Sequence, residues 1–268
     1  MERNIRLTLC YDGTPFHGWQ MQKNALSVQQ CLFEAIKRIL DKEVVIYGCS
    51  RTDSGVHANT YCCNFKADTE VDCAVIKRGL NAVIHESISV LDCFDEEADF
   101  NSRFSCKGKE YIYKIWNAKE KNPFMKNYAL HYPYYLDAEM LNEEVQAFVG
   151  THDFSAFCAA GAVTQSNIRT IYSCGVKREG DLITFSVTGD GFLYNMVRIM
   201  VGTAIHIGRG KIEKGSIPGI IESLDRKKAG ITAKPHGLYL NKVYYTSDFE
   251  RGDVIEKNRQ KQSTEKQT

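Results

Sequence analysis

One short polar segment carries the side chains best suited to chemistry. It reads Ser50-Arg-Thr-Asp-Ser-Gly-Val-His-Ala58 and lies between two stretches with strand character. Catalytic groups concentrate on loops that rigid strands hold in place. Asp53 supplies a carboxylate that can assist bond cleavage and move protons, and Arg51 stands two residues before it. A structural interpretation stays open, in which Asp53 bonds the backbone of a turn ended by Gly55 and Arg51 is a solvated surface cation.

The spacing of cysteines and histidines argues against a zinc site. The chain has 10 Cys and 7 His, yet it contains neither C-x-x-C nor H-E-x-x-H. No carboxylate cluster suited to magnesium is evident in the sequence either. Because 268 residues can build a core without disulfides, we interpret the cysteines as reduced thiols, mostly in the core. We therefore expect no metal.

The elements that position the polar loop follow from the spacing of apolar residues. Alternation from Ile5 to Tyr11 predicts a strand that ends at the turn Asp12-Gly-Thr-Pro15. Apolar residues three and four apart from Val28 to Ile39 predict an amphipathic helix capped by Ser27. Further strands are predicted at 44–47, 60–66 and 87–94, and a second helix at 71–80. The loop then lies between the second and third strands.

The second half of the chain repeats this mixture of elements. Strands are predicted at 109–117, 171–178, 182–188 and 238–245, the middle two as a hairpin, and helices at 138–149, 194–207 and 217–224. An acidic stretch at 92–99 gives way to a basic stretch at 107–126, and this reversal predicts a domain seam near Cys106.

Together these elements predict an α+β fold of two mixed domains with a similar rhythm. Each domain is expected to be a largely antiparallel sheet with helices on one face, with the active-site cleft between the two. The N-terminal domain covers 1–105 and carries the Asp53 loop, and the C-terminal domain covers 106–246. Residues 247–268 have few apolar side chains and many charges, so we expect a disordered tail.

Composition excludes several classes of protein. Lys+Arg 34 against Asp+Glu 33 gives a formal net charge of +1, which excludes a uniformly basic nucleic-acid coat. No secretory signal is apparent, and the most apolar stretch, 199–205, is far shorter than the ~20 residues that cross a bilayer. We expect a cytoplasmic protein without a membrane partner. Positive charge is concentrated in 107–126 and in 198–228, either as ordinary solvated faces or as patches that would meet the phosphates of a nucleic-acid partner.

The polar segment closely resembles the G-R-T-D-x-G-V-H motif of TruA-type tRNA pseudouridine synthases. Other stretches are similar to motifs of that family and follow in its order: Leu9–Gln20 (Y-D-G-x-x-F-x-G-W-Q), Arg103–Ser105 (R-F-S), Lys109–Tyr113 (K-x-Y-x-Y), His152–Phe157 (H-D-F-x-x-F), Asn195–Gly202 and Gly237–Leu240. The resemblance spans residues 5 to 245. One departure is Ser50, where many members have glycine, and it leaves the carboxylate in place.

This resemblance implies conversion of uridine to pseudouridine in the anticodon stem-loop of tRNA, at positions 38, 39 and 40. It implies a reaction without a cofactor, and a tRNA partner bound by a homodimer. The match assigns catalysis to Asp53, either by attack on C1′ of the ribose or by elimination to a glycal. It places Arg198 beside that carboxylate as its opposite charge. Helix periodicity alone favours another interpretation, in which Arg198 is a cation that reaches from an apolar helix to water.

The resemblance also implies a pocket for the base. A uridine stacked in a stem must be flipped out, and the flipped base needs an aromatic surface. The match assigns that surface to Tyr111 and leaves Tyr113 a structural role, although both could be core aromatics. Leu238 is expected to line the same pocket or to pack in the core. Arg51 is expected to clamp a phosphate or hold the displaced nucleotide, with a solvated cation as its alternative.

Three other functions stay open. The first is a non-catalytic module that binds tRNA to fold or chaperone it. The second is a synthase of the same family that acts on another RNA. The third is an aspartate-dependent phosphoryl or metal-assisted hydrolase, which the missing carboxylate cluster disfavours.

Overall fold

The computed structural model describes residues 2–161 and 164–245. Its helices are α1 (Val28–Leu40), α2 (Cys73–Val83), α3 (Ala138–Val145), α4 (Met196–Gly208) and α5 (Ile217–Ser223). Its strands are β1 (Glu2–Tyr11), β2 (Ile46–Gly48), β3 (His57–Asp68), β4 (Ile88–Glu96), β5 (Gly108–Trp116), β6 (Leu130–His131), β7 (Gly150–Asp153), β8 (Ile168–Glu179), β9 (Leu182–Gly189) and β10 (Leu238–Tyr244). The predicted mixed α+β fold is confirmed, and the predicted tail, 247–268, lies outside the described residues.

The strands of the described ranges form one sheet in the order β4-β1-β3-β10-β5-β9-β8-β7, with β2 added to β3 and β6 to β5. Most neighbours are antiparallel, as expected. The last strand, β10, lies at the centre, where it pairs in parallel with β3 and antiparallel with β5. Because β3 follows the polar loop and β5 carries Tyr111, this central position of β10 brings the two halves of the candidate site together.

The predicted seam falls on the connection between β4 and β5. Cys106 lies in that connection, two residues before β5 begins at Gly108. The sheet runs on from one half to the other through β10, and buried apolar residues from both halves form one core. The division into 1–105 and 106–246 stays a prediction.

Helix α1 illustrates how local sequence fixes an element. Ser27 is the N-cap, and its hydroxyl oxygen accepts a hydrogen bond from the Gln30 N–H at 3.3 Å. Val28, Leu32 and Ile36 are fully buried on one face, as the apolar spacing predicts. Each such side chain contributes roughly 1.5–3 kcal/mol of burial free energy, so the face is held firmly on the sheet.

Helix α4 is different because it is buried almost all round. Gly202 lets the 229–233 segment pass directly over it, since a Cβ there would lie 1.7 Å from the Ile231 carbonyl oxygen. Arg198 is therefore a cation on a helix that is enclosed by protein, which is costly unless the charge has partners. Within the described ranges, none of the helices has the length and apolar content that a membrane span requires.

Candidate active site

The polar loop joins β2 to β3, and the segment after β1 holds it in shape. The Thr52 carbonyl oxygen accepts a hydrogen bond from the Trp19 N–H at 3.2 Å, and the Gly55 N–H donates to the Phe16 carbonyl oxygen at 3.2 Å. The Thr52 and Tyr11 hydroxyls are 2.9 Å apart in the core. The loop is thus braced on both sides of Asp53.

Two glycines of the Leu9–Gln20 motif allow the segment after β1 to lie this close to the Asp53 loop. At Gly18 a Cβ would lie 2.4 Å from the Thr52 carbonyl oxygen, and the residue has a φ of +88°. At Gly13 a Cβ would lie 2.0 Å from the Val56 carbonyl oxygen. The Asp53 loop therefore packs directly against the backbone of the Leu9–Gln20 motif.

His57 closes the loop at the start of β3. Its Nδ1 accepts a hydrogen bond from the Gly13 N–H at 3.0 Å, and its Nε2 lies 3.0 Å from the Asn127 carbonyl oxygen. Burial lowers the pKa of His57, although the Asp12 carboxylate opposes the shift. His57 Nδ1 also lies 3.1 Å from Asp12 Oδ1, and together these contacts tie the loop to the turn after β1 and to the second half of the chain.

The structure brings Asp53 and Arg198 together across 145 positions of sequence. Arg198 Nη1 donates to Asp53 Oδ2 at 3.0 Å, and the exposed fractions of the Arg198 and Asp53 side chains are 15% and 23%. Arg198 Nε donates to the Ala233 carbonyl oxygen at 2.7 Å. The guanidinium is thus fixed in direction, and the carboxylate keeps access to solvent and to a ligand.

Asn195 completes the surroundings of Arg198, and the sequence interpretation missed it. Its Oδ1 accepts a hydrogen bond from the same Nη1 at 2.6 Å. Asn195 is the N-cap of α4 with a left-handed φ of 61°, and its side chain makes no capping bond to the helix. Asparagine is one of the few residues that tolerate this conformation. An asparagine just before a helix and three residues ahead of an arginine was the available signal.

Tyr111 contacts the polar loop at its first residue, Ser50. It is 6% exposed, its hydroxyl is 3.1 Å from the Ser50 Oγ, and its ring meets Phe192 edge-on with centroids 5.1 Å apart. Burial raises the pKa of Tyr111. Tyr113 is fully buried on the same face of β5, and its hydroxyl donates to the Lys234 carbonyl oxygen at 2.7 Å.

The two remaining predicted residues differ in their surroundings. Leu238 is buried on β10 directly opposite Tyr113, which places it on the same face of the sheet as Tyr111. Arg51 is exposed, and among the described residues its guanidinium has no hydrogen-bond or ion-pair partner. Among the residues that the structure describes, no group of three or more His, Cys, Asp or Glu side chains is arranged to hold a metal ion.

Comparison with known proteins gives the family. A family model described as tRNA pseudouridine synthase matches residues 145–246. A protein named tRNA pseudouridine synthase A from Thermoanaerobacter sp. (strain X514) is 45% identical over 91% of this chain and 100% of that protein. Proteins of the same name from Clostridium acetobutylicum and Ruminiclostridium cellulolyticum are 43% and 42% identical, again over 91% of this chain and 100% of each.

A weaker likeness is to a chain in the crystal structure of a Cbf5-Nop10-Gar1 complex, with a TM-score of 0.38 and 14% identity over 88% of this chain and 48% of that one. No inference rests on it. The similarity to the named relatives covers their whole length at 42–45% identity, and this chain therefore belongs to the tRNA pseudouridine synthase family.

Proposed function

We propose that this enzyme isomerises uridine to pseudouridine in the anticodon stem-loop of tRNA, at positions 38, 39 and 40, with Asp53 as its catalytic residue. The contact between Asp53 Oδ2 and Arg198 Nη1 at 3.0 Å carries the proposal. The cleft for the base then lies between the half that carries Asp53 and the half that carries Tyr111 and Arg198.

The reaction keeps every atom of the substrate. The bond from N1 of uracil to C1′ breaks, the detached base turns, and a bond forms between C5 and C1′. The proton on C5 is lost to a base, and N1 takes up a proton. Asp53 can serve by attack on C1′ or by elimination to a glycal, and both routes need a fixed carboxylate. No step requires a metal or a cofactor.

Arg198 supports either route by holding that carboxylate. Its Nε and Nη1 bond Ala233, Asn195 and Asp53, whereas Nη2 has no hydrogen-bond partner among the described residues. This nitrogen is free to donate to an oxygen of the bound nucleotide. Arg198 then has two roles, as a counter-charge to Asp53 and as a substrate contact.

Binding of the flipped base falls to the other predicted residues. Tyr111 and Leu238 share one face of the sheet beside the loop, and they supply the aromatic and apolar surface. Arg51 is exposed, lies two residues before Asp53 and has no hydrogen-bond or ion-pair partner among the described residues. Its guanidinium is therefore available to bind a phosphate or to hold the displaced nucleotide.

The role of Tyr111 predicts different results for two substitutions. Tyr111→Phe keeps the ring and loses only the bond to Ser50, so kcat/KM should fall less than about fivefold. Tyr111→Leu keeps most of the volume and removes the ring, so kcat/KM should fall about 10- to 100-fold, because stacking contributes roughly 1–3 kcal/mol per base. Thermal melting of both variants controls for folding. Equal kcat/KM values for the two would contradict stacking.

The role of Asn195 predicts an effect that acts through Arg198. Asn195→Gly keeps the left-handed backbone and removes the acceptor of a charge-assisted hydrogen bond, so the single-turnover rate should fall about tenfold. In an Arg198→Ala background the same change should have no further effect. Additive losses in this double-mutant cycle would show that Asn195 acts independently of Arg198.

The function itself is tested with unmodified tRNA transcripts. After incubation with the protein and a chelator, carbodiimide labelling and primer extension should locate new pseudouridine at positions 38, 39 or 40. Binding without modification would favour the non-catalytic module. Modification of another RNA alone would favour a different substrate for the same chemistry, and loss of activity in the chelator would favour a metal-assisted enzyme.

Two further parts of the proposal come from the family resemblance. We infer a cytoplasmic homodimer in which both subunits contact one tRNA. Light scattering of the purified protein should give twice the mass of one chain.

A further inference from the structure

A second cationic feature lies beyond the Asp53 site, at the far end of α4. A groove of about 530 Å³ is lined by five basic side chains together with the backbone at 229–231. The basic residues, which define the basic groove, are His206, Lys211, Arg226, Lys227 and Lys228. All five lie in the basic 198–228 segment of the sequence, and the fold gathers them in one place.

The charge of the basic groove is largely unneutralised. Lys211, Lys227 and Lys228 are exposed, and among the described residues none of their amino groups forms an ion pair with a carboxylate. The Asp225 carboxylate accepts a hydrogen bond from the Lys227 N–H at 2.9 Å and offsets one of these charges, which leaves an excess of positive charge. Clustered cations of this kind raise the local concentration of anions.

Arg226 gives the groove a fixed cation. Its Nη1 donates to the Gly230 carbonyl oxygen at 2.9 Å, and its Nη2 lies 3.2 Å from the Thr232 Oγ1. Burial lowers the pKa of Arg226, which nonetheless stays charged at neutral pH because arginine titrates so far above it. The turn that presents Lys227 and Lys228 is therefore held by a rigid neighbour.

The basic groove and the Asp53–Arg198 pair are connected through α4 and through residues 230–233. Arg198 and His206 are both on α4, eight residues apart, which is about 12 Å along a helix axis. The segment from Gly230 to Ala233 leads from the groove to the carbonyl that holds Arg198, and three residues span at most about 10 Å. His206 and Gly230, which line the groove, thus lie within about 12 Å of residues that hold the Asp53–Arg198 pair, measured along the backbone.

We propose that the basic groove binds the phosphodiester backbone of the tRNA substrate, at nucleotides outside the target uridine. The proposal rests on the function proposed above. Three mobile amino groups beside one fixed guanidinium suit a run of phosphates rather than a single enclosed anion. Lysines meet phosphates as point charges and do not read bases, so the groove positions the RNA and contributes no sequence preference.

The test compares two double variants of the full-length protein. Lys227→Ala/Lys228→Ala removes two groove cations, and Lys42→Ala/Lys66→Ala removes two exposed lysines from the N-terminal half as the matched control. The dissociation constant for a tRNA transcript is measured between 50 and 300 mM salt. Each lost phosphate contact lowers the slope of log affinity against log salt by about 0.7–0.9.

We expect the groove variant to lose about 1.5 units of slope and at least tenfold in affinity at low salt, with the control unchanged. The loss should be the same for tRNAs of different sequence. A groove variant whose slope equals that of the wild type would overturn the proposal, as would an equal loss in the control. The same binding measurement on Asp53→Asn separates the groove proposal from the catalytic role of Asp53. If Asp53 is not the catalytic residue, the salt dependence of tRNA binding is unaffected.

Discussion

Substitution of Asp53 by Asn should lower the rate of pseudouridine formation by about four orders of magnitude or more, as is found when other single nucleophiles are removed. The amide matches the carboxylate in shape and can still accept the hydrogen bond from Arg198 Nη1, so the loop keeps its geometry. It cannot attack C1′ effectively or take up a proton. The loss should therefore appear in the chemical step and leave tRNA affinity near that of the wild type.

The measurement is release of tritium from tRNA labelled at uracil C5, under single-turnover conditions. Asp181→Asn is the control, because Asp181 is an exposed residue at the turn between β8 and β9. A rate for Asp53→Asn within tenfold of the wild type would remove Asp53 from the chemistry. It would leave the fold and the family membership intact.

Substitution of Arg198 by Ala should lower the same rate about 100-fold. The hydrogen bond from Arg198 to Asp53 is charge-assisted and contributes roughly 1.5–3 kcal/mol, and loss of the upper end of that range in the transition state corresponds to about 100-fold in rate. The variant also leaves the Asn195 and Ala233 oxygens without their donor. Arg198→Lys should recover part of the rate, since a single ammonium cannot reach all three acceptors of the planar guanidinium.

Arg38→Ala provides the control for this series, because Arg38 is an exposed arginine on α1. Tritium release, tRNA affinity and melting temperature are measured on each variant. If Arg198→Ala loses affinity and keeps its single-turnover rate, Arg198 is a contact to the RNA and not the counter-charge of Asp53.

The N-terminal motif gains a physical explanation from the structure. In the Leu9–Gln20 motif, Gly13 and Gly18 pack against the backbone on either side of Asp53. A side chain at either position would collide with the backbone of the Asp53 loop and displace it. The motif therefore preserves the geometry of the site rather than its chemistry.

Much of the fold could be predicted because the relevant forces are local. The cap and apolar face of α1 are confirmed, as is the hairpin of β8 and β9 around its turn. The observed ends of elements differ from the predicted ends where tertiary contacts intervene. Strand β3 begins at His57, three residues earlier than predicted, because β10 pairs with it there. The predicted helix 138–149 stops at Val145, and residues 146–148 tighten into a 3-10 turn.

Two short strands were missed for a related reason. The strands β6 and β7 contain two and four residues, too few to display a period. They exist because longer partners, β5 and β8, offer them hydrogen bonds. Such short strands form because a longer neighbouring strand of the sheet pairs with them.

The sequence by itself determined the polar loop and the family resemblance and singled out Asp53 as the candidate carboxylate, because each depends on residues that are adjacent in the chain. The resemblance also placed Arg198 beside Asp53, but only the tertiary structure decided the geometry of that contact, that Asn195 holds Arg198, and that Lys211 lies in one groove with Lys227 and Lys228. These contacts depend on where β10 and α4 pack. Periodicity records which face of an element is buried, and it carries no information on which distant side chain will lie opposite.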